Sequence, residues 1–212
     1  MSSVPRGWDF PTRAFHWLLV VSLTFSFVTG KLGGSWLEWH FKSGYAILAL
    51  LLFRIAWGFI GSREARFASF LRGPRTALAY ARSIASGKRA SEPGHNPLGA
   101  WMVAFMLAIV SLQAVTGLFS NDESSNEGPL AVKVSNATVD RMSAIHSWNE
   151  WVIVGAVALH IAAVLTYQLY LRMDIVGPMV RGESRPRENA LALVLICIAA
   201  SAVYWLVVVY PR

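Results

Sequence analysis

Charge is what this chain lacks most. Only 15% of its 212 residues are Asp, Glu, Lys or Arg, against about 25% in a typical soluble domain. Acidic residues are the scarcer kind, 12 against 19 basic ones, for a formal net charge of +7. With 55% hydrophobic residues and a mean hydropathy of +0.45, the chain falls outside the ordinary soluble globules and among membrane proteins. Cysteine is nearly absent. The single Cys197 excludes an intrachain disulfide framework and any covalent C-x-x-C-H haem attachment. It lies in an apolar run and reads as an inert lipid- or helix-facing residue. Arg6 and Arg13 precede the first apolar run, but no A-x-A-like cleavage site follows, so this reads as a retained first span. There is no low-complexity tract and no internal repeat of the soluble type.

What is present is a set of long apolar runs, at about 14–30, 41–60, 97–119, 143–171 and 190–210. Each is long enough to cross a bilayer, the first only marginally. Asn96-Pro97 is a helix-start signal, with Asn as cap and Pro in the first turn. Basic residues concentrate in two connections. The first, 61–96, holds Arg63, Arg66, Arg72, Arg75, Arg82, Lys88 and Arg89; the second holds Arg172, Arg181, Arg185 and Arg187. With five spans both fall on one side, which the positive-inside rule makes cytoplasmic, with the N-terminus in and the C-terminus out. The positive balance therefore belongs to membrane topology and not to nucleic acid. Within the first connection, PRTALAYARSIASGKR reads equally as a basic amphipathic helix on the membrane surface or as a solvated loop. The connection after the third span leans acidic, with Asp122, Glu123, Glu127 and Asp140. It suits a basic partner surface or an ordinary solvated loop. Most tryptophans sit near span ends, as an aromatic belt would place them.

The fourth run contains IHSWNEWVIVGAVALH, with His146 and His160 fourteen residues apart. On a helix that spacing returns to within roughly 40° of one face, about 21 Å along the axis. Topology then assigns depths. His16 starts an outward-going span and His40 an inward-going one. His40 matches His146 near the outer face, and His16 matches His160 near the inner face. Ionisable residues inside a span are costly and by default functional. Two nitrogens at each depth fall short of the four ligands of a structural zinc site. They suit the two axial positions of a haem iron, leaving no open position for oxygen chemistry, so the expected work is one-electron transfer. Arg54, fourteen residues after His40, falls at the inner level, where it can pair with a haem propionate or snorkel to the headgroups. Gly44, one turn after His40, and Gly30, fourteen after His16, leave room for a flat macrocycle or for helix packing. His95 reads as a surface or cap residue, or as a quinone contact or proton donor beside Arg13 and Arg54.

The segments RGWDFPTRAFHW, HFKSGYAILALLLFRIAWGFIGS, GHNPLGAWMV, TGLFS, EGPLA and the His146–His160 helix resemble the bacterial cytochrome b561 family, related to the cytochrome b subunits of nickel–iron hydrogenases. The resemblance covers about residues 6–182. It implies a four-helix core binding two haem b groups through His16, His40, His146 and His160, and electron exchange between the quinone pool and a periplasmic redox partner such as a cytochrome c. The expected fold is all-α: an integral-membrane four-helix dihaem bundle over 1–182, in the bacterial inner membrane, plus a fifth transmembrane helix over 183–212 that departs from the family pattern and reads as an added anchor or partner surface. Two other functions stand beside this one. Some members of the family oxidise superoxide and pass the electron to quinone, and a cationic outer funnel including Lys31 and Lys42 would favour that anion. A non-catalytic membrane anchor would need no haem.

Overall fold

The computed structural model describes residues 8–86, 97–122, 126–182 and 185–211. Helix α1 runs Phe10–Leu32. Asp9 caps it by accepting from the Thr12 N–H at 2.8 Å, and Pro11 sits in the first turn, where its missing N–H costs nothing. Gly33 and Gly34 both take positive φ, which glycine adopts freely, and they turn the chain into a short 3₁₀ segment, Gly34–Trp36. Helix α2 follows, Leu37–Ile60, beginning four residues before the apolar run.

Two short helices come next, α3, Phe67–Phe70, and α4, Pro74–Ala85. Then come α5, Pro97–Gly117, and α6, Asn136–Leu165. Ser135 caps α6 through the Thr138 N–H, so two polar turns precede the apolar stretch. A π-type turn, Thr166–Tyr170, extends α6. After α7, Gly177–Val180, helix α8 spans Pro186–Tyr204 and continues as a π-type turn, Trp205–Val209. Among the described residues the only β pairing is the isolated Asn121–Glu127 bridge. Helices α1, α2, α5, α6 and α8 are long and apolar enough to cross a membrane.

The end of the bundle holding the α1–α2 turn is called upper here, and the end holding α3, α4 and α7 lower. The sequence draws attention to α6, but packing makes α2 the centre. It touches α1, α5 and α8, and 56% of its apolar window is buried against 6% for α6. Helix α6 leans mainly on α5. Helix α8 is no loose appendage. Ala192 and Ala199 pack with Phe53 and Trp57 near the lower end, and Val203 packs with Leu48 and Ala49 near the upper end. Lys133, in the α5–α6 connection, sits 5.5 Å over the Tyr210 ring. Midway, Ile47 and Leu51 meet Ile109, Val110 and Ala156, with Leu19, Leu23 and Ile153 against them. This is a wholly aliphatic layer drawn from all four helices α1, α2, α5 and α6.

The segment PRTALAYARSIA is a helix and not a solvated loop. Ala77 is buried, and the Tyr80 hydroxyl lies 3.5 Å from that of Tyr167. Trp101 Nε1 donates to the Arg72 carbonyl at 3.0 Å. Arg75 and Arg82 face outward.

Candidate functional site

Of the four span histidines, His40 and His146 are brought together with their rings nearly perpendicular. Their ring centroids are 6.1 Å apart, with planes at 84°. Each ring is fixed by its Nδ1. His40 Nδ1 donates to the Ser26 carbonyl of α1 at 2.8 Å, with Ser26 Oγ at 3.2 Å. His146 Nδ1 donates to the Gln113 carbonyl of α5 at 3.0 Å, with Thr116 Oγ1 at 3.2 Å. A carbonyl can only accept, so both Nδ1 atoms carry the proton, and in the neutral rings Nε2 keeps its lone pair. That is the tautomer a metal requires, held by the kind of second contact that metal-ligating histidines usually make. With a metal–nitrogen bond of about 2.0 Å, two imidazoles on opposite sides of one metal have centroids roughly 6 Å apart. The centroid separation of the upper pair leaves room for an iron between its rings.

Around this pair the helices are tied together. Asn149, one turn after His146 and buried, donates from Nδ2 to the Ile109 carbonyl and to Gln113 Oε1, both at 2.8 Å. Lys31 and Glu150 form an ion pair at 2.5 Å, linking α1 to α6. The Lys31 ammonium also lies 5.5 Å from the Phe27 ring and 5.3 Å from the Trp151 ring. Lys42 is paired with Glu38 at 2.6 Å. The two lysines expected to make a cationic funnel are thus both neutralised. A side chain added at Gly44 would meet nothing within 4 Å, so the backbone is open there. Gly30 does something else: a Cβ there would come 2.9 Å from His40 Nδ1. The space it leaves is taken by the imidazole.

At the lower level His16 and His160 lie close enough to interact electrostatically. His16 makes an edge contact with Trp17, centroids 5.0 Å apart. Its Nδ1 is buried without a hydrogen-bond partner among the described residues, as are Arg54 Nη1 and Trp57 Nε1. Arg54 does not snorkel: it is 3% exposed. Phe67 covers it, with its ring 4.9 Å from the guanidinium carbon, and Asp9 is within electrostatic reach. The Asp9 carboxylate also accepts from the hydroxyls of Thr12 and Ser62. Buried N–H groups are nearly always satisfied in folded proteins. The unsatisfied Arg54 Nη1 fits an oxygen of an anionic group, such as a haem propionate.

Arg13 is engaged elsewhere. It donates to the carbonyls of Val180 at 2.8 Å and Gly182 at 3.0 Å, while Trp17 Nε1 donates to Met179 at 3.1 Å. Together they stitch the α7 segment beneath His16. His95 lies outside the described residues. The sequence reading missed Ser26, Gln113, Thr116 and Asn149. Two of them act through backbone carbonyls, which every residue possesses, so side-chain type alone does not reveal them.

The family profile of prokaryotic cytochrome b561 matches residues 7–182. Curated relatives include a probable Ni/Fe-hydrogenase B-type cytochrome subunit of Bradyrhizobium diazoefficiens, 26% identical over 85% of this chain and 86% of its own length. A probable Ni/Fe-hydrogenase 1 B-type cytochrome subunit of Escherichia coli K12 is 26% identical over 81% of this chain and 87% of its own length. A Rhodobacter capsulatus protein with the B-type subunit name is 23% identical over 87% and 82%. No solved structure matches the chain. The chain belongs to the prokaryotic cytochrome b561 family: it is a multi-pass bacterial membrane protein, a b-type cytochrome of electron transfer, and haem b is its cofactor.

Proposed function

We propose that this cytochrome holds two haem b groups, one at each level, and conducts electrons across the membrane between the quinone pool and a redox partner at the periplasmic face. The observation that carries this reading is the close pair His40 and His146, both locked as Nδ1 donors. In this reading, His40 and His146 would hold the iron of the upper haem, and His16 and His160 that of the lower one. Arg54 would pair with a lower propionate, and the open backbone at Gly44 would leave room for the upper haem. When bound, haem b would supply a reversible one-electron couple. The protein's part is to fix four imidazoles, to keep water out through the aliphatic layer, and to neutralise buried carboxylates with Arg54.

The basic connections lie at the lower end, so the positive-inside rule makes that end cytoplasmic and the upper end periplasmic. The relatives are named as hydrogenase cytochrome subunits, which makes a membrane-associated hydrogenase as fitting a periplasmic partner as a cytochrome c. Lys31 and Lys42 do not strengthen the superoxide reading, because each is paired with a glutamate.

The test is spectroscopic. Purified protein is expected to show a split b-type band on reduction and two haems per chain. His40→Ala and His146→Ala are each expected to remove the same spectral component, and His16→Ala and His160→Ala the other. No b-type band sinks the proposal; matching losses from His40→Ala and His160→Ala overturn the pairing.

A further inference from the structure

The seats of the two upper imidazoles are copies of one another, and a short motif builds both. In α1 the sequence Phe25-Ser26-Phe27-Val28-Thr29-Gly30 ends in Val-Thr-Gly; in α5, Leu112-Gln113-Ala114-Val115-Thr116-Gly117 does the same. The carbonyl that receives the imidazole is four residues before the glycine in each case, Ser26 for His40 and Gln113 for His146. The threonine hydroxyls repeat too. Thr29 Oγ1 donates to the Phe25 and Ser26 carbonyls at 2.8 and 3.2 Å. Thr116 Oγ1 donates to the Leu112 and Gln113 carbonyls at 2.8 and 3.1 Å. Both threonines are almost fully buried, at 1% and 2% exposure.

The motif has a physical logic. A helical carbonyl points at the residue four ahead, whose side chain ordinarily screens it. Only glycine at that position opens a path for a third group. A Cβ on Gly30 would stand 2.9 Å from His40 Nδ1 and 3.2 Å from its Cε1; one on Gly117 would stand 2.9 Å from His146 Cε1 and 3.3 Å from its Nδ1. Threonine back-bonding bends a helix locally and can tilt the same carbonyl outward toward the ring.

We infer that the two Val-Thr-Gly segments are a paired positioning device. Gly30 and Gly117 admit the rings to the Ser26 and Gln113 carbonyls, which fixes the near-perpendicular imidazole planes and the donor–acceptor bonds on Nδ1. Those bonds raise the basicity of the ligand nitrogens, favour the ferric state and hold the upper midpoint potential down. The inference rests on reading His40 and His146 as axial ligands.

The test uses the full-length holoprotein, with low-temperature electron paramagnetic resonance and potentiometric titration as readouts. Perpendicular axial imidazoles give a highly anisotropic low-spin ferric signal at low field. Gly30→Ala and Gly117→Ala are each expected to move that signal and shift the upper midpoint upward, leaving the lower haem unchanged. Gly155→Ala, where a Cβ meets nothing within 4 Å, is the control and should alter neither. Should an alanine variant fail to assemble, Thr29→Val and Thr116→Val are expected to give a smaller upward shift, and Thr→Ser at either site to restore the native value. An unchanged upper signal and potential in whichever of these variants assemble overturns the device. If His40→Ala and His146→Ala retain the full haem complement, the ligand reading fails, and this inference with it.

Discussion

At the upper level each imidazole leans on a carbonyl of the preceding helix, α1 serving α2 and α5 serving α6. At the lower level the supporting groups are side chains: a buried arginine under Phe67, and a His16 Nδ1 with no partner among the described residues. The register explains part of the difference. Fourteen residues beyond His146 stands His160, while fourteen beyond His40 stands Arg54. The second helices of the hairpins α1–α2 and α5–α6 match at the upper level and diverge at the lower one, where α6 carries His160 and α2 carries Arg54, while the other lower histidine, His16, comes from α1. A site built on backbone is set by the fold itself. A site built on charge depends on its occupant to complete it.

Three measurements would break or sharpen that contrast. The largest effect is expected where the two levels share structure. Leu51→Ala empties the centre of the aliphatic layer and should cost roughly 2–3 kcal/mol, the low end of the Leu→Ala range, because lost packing and not transfer from water dominates inside a bilayer. The unfolding temperature should fall and the two proposed haems should loosen together; loss confined to one level would show that the layer does not couple them.

Next comes a crossed pair. Asn149→Leu removes one buried and one part-buried hydrogen bond between α5 and α6 and should cost about 1–3 kcal/mol through the stranded acceptors. It should shift the upper potential alone. Arg54→Gln should instead lower occupancy of the lower site and leave the upper spectrum intact. If each variant disturbs both spectra equally, the two sites are not independently built.

Smallest is the Lys31–Glu150 pair. Both side chains are partly exposed, at 49% and 26%, and such pairs contribute about 1 kcal/mol or less. Lys31→Met should barely change stability, and raised salt should mimic it. A large loss of the upper haem in Lys31→Met would mean that α1 is held to α6 by charge more than the backbone seats suggest.

Much of this architecture was legible in the chain. The five spans follow from apolar length, and the match of His40 with His146 follows from helical rise combined with topology. The hub role of α2 did not follow, since runs that are apolar all round do not disclose which face is packed. Nor did the early start of α6, because Asn136 to Ser143 is polar and only the Ser135 cap marks it. The carbonyl seats left one trace, the Val-Thr-Gly sequence occurring in both α1 and α5. The spacing offers Gly30 as room for a macrocycle or for helix packing; the structure gives that room to an imidazole, and spacing alone cannot tell these apart.

The layer formed by Leu19, Leu23, Ile47, Leu51, Ile109, Val110, Ile153 and Ala156 bears on membrane voltage. These side chains are all aliphatic and offer no group along which a proton could hop. An electron passing between the two histidine levels, as proposed, would cross it uncompensated, doing work against the field of up to about 2.3 kcal/mol per 100 mV for a full traverse. Such turnover would charge the membrane in one direction and be driven in the other by the charge already there.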